Sequence, residues 1–146
     1  MNIDEVMAAL DAIPDPALRA AVTHSVPGDP VRVERLDLPG AEYWLIPFAD
    51  DEGLRAVVEV RSGRAVKGGV VTAPGAGFLL APGAALDAVR ATGAAPGPSP
   101  RLVWQPCAES WDSFQPLWLV DTAGGPVFVD QAGTVHEELH TDLKGA

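Results

Sequence analysis

Apolar side chains at Ile3, Val6, Met7, Leu10 and Ile13 recur at steps of three and four residues, the spacing that gathers them on one stripe of a helix. Asn2 stands before that stripe with Glu5 three positions on, as in a capping box, and Pro14 cannot continue the hydrogen-bond ladder, so a first helix is predicted to stop there. Asp15 followed by Pro16 makes an N-cap and first-turn pair for a second short helix reaching about His24, with Leu18 and Val22 inward. From residue 31 the period becomes two. Val31 and Val33 alternate with Arg32 and Glu34, residues 43–48 form a continuous apolar run, and Leu54, Ala56, Val58 and Val60 fall on one face, with Arg55, Glu59 and Arg61 between or beyond them. These are strand patterns. The acidic turn at 50–53 and the Ser62-Gly63 pair join them as hairpins, the second leading into a strand over 64–71.

A stretch rich in Gly, Pro and Ala over 72–83 introduces a short helix over 82–91, and the run TGAAPGPSP over 92–100 reads as a connector. Strands are predicted again over 101–105, 117–121, 126–130 and 134–139. The order of parts therefore repeats: a helix, an aromatic strand, a Gly or acidic turn, an alternating strand, an x-Gly turn and a strand. The pattern predicts an α+β fold in which short helices pack on antiparallel sheet, with two similar α-β-β-β-β halves, 1–71 and 82–140, fused into one compact domain spanning 1–146. Each half alone is too small to bury both a helix stripe and a sheet face well. The segments VVEVRSGRAV (57–66) and VFVDQAGTV (127–135) resemble the strand, turn and strand that end PepSY-like domains, which are cystatin-like in wrapping a short antiparallel sheet about a helix. The resemblance implies binding or inhibitory roles of the kind associated with peptidase propeptides outside the cytoplasm. It carries over no catalytic residue.

Hydrophobic residues make up 47% of the chain and charged residues 21%, the balance of a globular protein. A formal net charge of −10 sets nucleic acid aside, because phosphate binding draws on clustered Lys and Arg, and favours a basic partner. The single cysteine, Cys107, cannot form an internal disulfide. The acidic N-terminal stretch does not look like a secretory signal, and no apolar run approaches the roughly 18 residues that span a bilayer. A soluble cytoplasmic protein without membrane contact is expected, and the richness in Ala, Gly, Pro, Val and Asp over Lys suits a GC-rich bacterial source.

HEELH, residues 136–140, spells the H-E-x-x-H pattern of zinc proteases, in which His136 and His140 would share a metal and Glu137 would act as general base. That chemistry needs a helix. On a strand, residues four apart lie roughly 13 Å apart at about 3.3 Å per residue, too far to grip one ion, and Thr134 and Val135 predict a strand. Cys107 paired with His24, His136 or His140 would be the minimum for thiolate chemistry, but it lacks a setting that would lower its pKa. The acidic clusters at 50–52 and 137–138 fit a solvated turn and a charged edge, and neither Gly-rich stretch matches a phosphate loop. Trp104, Trp111, Phe114 and Trp118 crowd into fifteen residues. Trp104 and Trp118 fall in predicted strands and belong in the core. Trp111 and Phe114 fall in a long connection, which either folds back over the sheet or presents an aromatic anchor, with Glu109 and Asp112 nearby to suit a basic or hydroxyl-bearing ligand. The leading expectation is a non-catalytic binding or regulatory module for a protein or peptide, without cofactor, as a monomer or homodimer. The alternatives are a small zinc-dependent hydrolase built on His136, Glu137 and His140, and a small-ligand carrier with a pocket between helix and sheet.

Overall fold

The chain opens with a reciprocal cap. The Asn2 side chain accepts from the Glu5 backbone N–H at 2.9 Å while the Glu5 carboxylate accepts from the Asn2 N–H at 2.9 Å, and helix α1 (Ile3–Leu10) follows. Asp15 accepts from Ala17 N–H at 2.9 Å, Pro16 occupies the first turn, and α2 runs over Pro16–Thr23. The computed structural model describes residues 2–11, 13–73, 75 and 77–141. It divides into two units, Met1–Arg32 with Glu42–Phe78, and Val33–Ala41 with Leu79–Ala146.

In the first unit, β3 (Glu42–Asp50), β4 (Gly53–Arg61) and β5 (Arg64–Val70) form an antiparallel meander, and β1 (Val26–Pro27) pairs antiparallel with β3. Register sets Trp44 opposite Val60, Ile46 opposite Val58 and Phe48 opposite Ala56. That face meets the helix stripe, so that Val6, Ala9, Leu10, Ile13 and Leu18 pack with Ile46, Phe48, Ala56, Val58 and Val60 in one core. Burying each larger member contributes about 1.5–3 kcal/mol. Tyr43, Leu45, Val57 and Glu59, on the alternate positions, are buried as well. The β4–β5 turn places Ser62 at φ 50° and Gly63 at φ 76°, the two successive positive values that a tight primed hairpin demands.

The strand β2 (Val31–Arg35) begins in the first unit and ends in the second. There its end pairs with β6 (Arg101–Trp104), Glu34 against Val103 and Arg35 against Trp104. This pairing is parallel, a departure from the antiparallel expectation, and it is possible because a long crossover separates the two strands in sequence. β6, β7 (Leu117–Thr122), β8 (Gly125–Val129) and β9 (Val135–His136) then follow as an antiparallel meander. Helix α3 (Pro82–Ala91) lays Ala85 and Val89 on Val120 and Val129, while Val103, Cys107, Leu117 and Leu119 form a second cluster with Leu36, Phe128 and Leu139. The class is thus mixed α+β with mostly antiparallel strands. The last strand is shorter than the expected 134–139, because beyond His136 the backbone is captured by a loop rather than by the sheet edge. Among the described residues, no helix is long and apolar enough to cross a membrane.

Candidate partner-binding loop

Residues 105–116 join β6 to β7 and carry the aromatic cluster. Their shape is set by Ser110, whose hydroxyl accepts from the buried Trp104 indole N–H at 3.1 Å and donates to the Gln115 carbonyl at 2.6 Å. The Cys107 and Ser110 backbones pair with each other, Cys107 N–H to Ser110 O at 3.4 Å and Ser110 N–H to Cys107 O at 3.2 Å. Asp112 closes the next turn, its carboxylate accepting from Phe114 N–H at 2.9 Å and its carbonyl from Gln115 N–H at 2.9 Å. Gln131 braces the far end by donating to the Pro116 carbonyl at 2.7 Å. Behind the loop the Arg35 guanidinium lies 5.1 Å from the centre of the Trp104 ring.

Within this braced loop the aromatic side chains part company. Trp104 is buried, Trp118 and Phe114 are half-buried, and Trp111 is 64% exposed. Cys107 is fully buried, and burial pushes its thiol pKa up, the opposite of what a nucleophile needs. Glu109 does not face outward as the sequence suggested. Its side chain is 7% exposed and holds the C-terminal stretch: one oxygen lies 2.5 Å from His140 Nδ1, the His140 backbone N–H donates to the same carboxylate at 2.8 Å, and Ala108 N–H donates to the His140 carbonyl at 2.8 Å. Leu139 packs against the cluster of Val103, Cys107, Leu117 and Leu119.

Compared with known proteins, the chain matches no family model, no curated protein and no solved structure. The segments 57–66 and 127–135 each fold as an antiparallel pair.

The HEELH segment is not helical. His136 ends β9, with Nε2 2.8 Å from Asp130, while residues 137–141 are irregular and His140 belongs to Glu109 and, at 3.3 Å, to Glu138. Each imidazole thus has its own carboxylate, and among the described residues no three His, Cys, Asp or Glu side chains are grouped to hold a metal ion. His24 caps α2 in the first unit. The acidic turn at 50–52 is bridged by Arg55, 2.7 Å from Asp50 and 2.5 Å from Glu52, and this guanidinium holds the Asp50 carboxyl below its usual range. Sequence reasoning missed Ser110 and Gln131, since neither lies in a motif and both act through loop carbonyls that only the folded chain brings near.

The His140 pair makes the tail clamp sensitive to pH. Hydrogen bonding to Glu109 raises the imidazole above its ordinary 6.5, so its contribution is complete below that value and is lost as pH rises through the raised one. Burial pushes Glu109 up, but hydrogen bonds from the His140 side chain and backbone outweigh it and leave the carboxyl below 4.5; its contribution is lost only in acid. The clamp is therefore fully formed between the two. Protection of the Ala108 and His140 amides from hydrogen exchange, corrected for intrinsic rates, is expected to be greater at about pH 6 than at about pH 9, and His140→Gln is expected to abolish the difference. Equal protection at both values in the unaltered protein would refute the clamp.

Proposed function

We propose that the chain is a non-catalytic binding module that recognises a protein or peptide through the loop carrying Trp111. One observation carries this reading: the largest apolar side chain of the loop stands 64% exposed on a backbone fixed by Ser110, Asp112 and Gln131. A tryptophan side chain offers a large contact area, and tryptophan is over-represented among residues whose truncation weakens binding. Because the loop is already ordered, docking costs little further backbone entropy. Phe114 lies half-buried beside it, and exposed Asp112 favours a partner with basic groups around an apolar cleft, in keeping with the net charge of −10. Glu109 serves this surface indirectly, by pinning the tail against the loop. In this reading the two units, each an antiparallel meander backed by helix, are two versions of one α-β-β-β-β plan, and the protein acts in the cytoplasm without a cofactor.

Trp111→Ala is expected to leave thermal stability within about 0.5 kcal/mol of the parent, because the side chain packs against little. Proteins retained from an extract of the native host by the parent and lost with the variant would be purified and titrated. The variant is expected to bind such a partner at least about tenfold more weakly, roughly 1.4 kcal/mol. An identical set of retained proteins and an unchanged affinity would refute the proposal.

A further inference from the structure

A cavity of about 360 Å³ opens in the first unit beside α1, α2, β1 and β3. Buried Leu10, Ile13 and Phe48 line its depth, and Met7, a flexible thioether that stands partly in solvent, lines it from α1. The volume lies at the small end of the range for ligand pockets, room for one compact molecule.

Polar groups at the same opening are unequally satisfied. The Thr23 hydroxyl donates to the Arg19 carbonyl at 2.7 Å and that of Ser25 to the Ala21 carbonyl at 2.6 Å, so both turn their protons to the backbone and keep only lone pairs to offer. Among the described residues the Arg19 guanidinium makes one hydrogen bond, Nη2 to the Ile13 carbonyl at 2.7 Å, which leaves other N–H groups to offer a ligand. Asp11, the residue after α1, also lines the cavity. Among the described residues neither Arg19 nor Asp11 makes an ion pair, although both charges border one opening.

We propose that this cavity binds a free α-amino acid with a large apolar side chain. Arg19 would take the carboxylate as a charge-assisted hydrogen bond, Asp11 with the Thr23 and Ser25 lone pairs would take the ammonium, and the side chain would fill the apolar depth. A zwitterion also answers the charge of the whole molecule, since a net −10 repels a simple anion and leaves a neutral ligand unaffected. The site is separate from the loop carrying Trp111 and stands or falls without it.

The test uses the full chain with ¹³C-labelled methionine methyl groups, titrated with L-leucine and L-phenylalanine, and with L-alanine, N-acetyl-leucine, leucinamide and hexanoate as comparisons. Leucine or phenylalanine is expected to shift the Met7 methyl signal with a dissociation constant below about 1 mM, and each comparison compound to bind at least about tenfold more weakly. Arg19→Gln and Asp11→Asn, both on exposed side chains, are each expected to weaken leucine binding about tenfold; Asp11→Asn should leave the thermal midpoint in place, and Arg19→Gln, which gives up the bond to the Ile13 carbonyl, should lower it by only a few degrees. No shift of Met7 at about 10 mM leucine or phenylalanine overturns the proposal. So does hexanoate binding as tightly as leucine, or an affinity untouched by both substitutions.

Discussion

Gly68→Val is expected to destabilise the protein by about 3 kcal/mol, the cost of forcing a branched side chain into a contact that is already closed. A Cβ at this position in β5 would lie 2.0 Å from Leu18 Cδ2 and 3.2 Å from Leu18 Cδ1 and Cγ, so α2 sits on the strand at a distance that only a hydrogen on the sheet permits. Leu18 is buried in the helix-and-sheet core and has little freedom to turn away. A cavity of about 330 Å³ lined by Leu18, Gly68, Val58 and Ala65 gives the displaced side chain some relief. For that reason Gly68→Ala is expected to cost less, about 1–2 kcal/mol, even after the gain in strand preference over glycine. The measurement is a urea titration of both variants with and without Leu18→Ala. Alone, Leu18→Ala leaves a hole and should cost about 2–5 kcal/mol; combined with Gly68→Val, the new side chain fills part of that hole, so the double substitution should cost at least about 1 kcal/mol less than the sum. Strict additivity would show that the close approach is absent in solution.

Leu18 and Gly68 also mark where sequence reading ends. That Leu18 points inward follows from its place on a helical stripe, a local property, and the caps at Asn2 and Asp15 are local in the same sense. That β5 needs glycine under α2 does not follow from Lys67-Gly68-Gly69, because the requirement arises only when two elements distant in the chain touch. The loop divides in the same way. Its crowding of aromatics is plain in the sequence, and both fates open to such a loop occur: Phe114 turns in while Trp111 stays out. Glu109 reads as a surface carboxylate, since its partner His140 lies 31 residues away and pairing over that separation leaves no spacing to recognise. The end of the last strand departs from expectation for the same cause, because the backbone bond from Ala108 to His140, not the propensity of residues 137–139, decides where the chain leaves the sheet. The parallel contact of β2 with β6 is equally hidden, as alternation of apolar residues reports burial and not strand direction.

Arg61→Ala should cost about 2–3 kcal/mol, through a charge rather than through packing. Glu59 on β4 is 1% exposed, and Arg61 Nε lies 2.5 Å from its carboxylate. The same guanidinium stacks 5.4 Å from the centre of the fully buried Tyr43 ring, so one side chain both answers a buried anion and covers an aromatic face. Truncation leaves the buried carboxylate without that cation. The usual cost of breaking a fully buried pair, about 3–5 kcal/mol, is reduced here because the Arg61 side chain is 38% exposed and water can enter the vacated space. Glu59→Gln keeps the volume and the hydrogen-bonding capacity while removing the charge, and its cost should be nearer 1 kcal/mol. If the loss in Arg61→Ala comes from the stranded charge, adding Glu59→Gln should recover part of it, giving a coupling of about 1–2 kcal/mol in a double-mutant cycle followed by urea denaturation at neutral pH. Should Arg61→Ala fall within about 0.5 kcal/mol of the parent, the charge of Glu59 is being met elsewhere and Arg61 is only a surface residue.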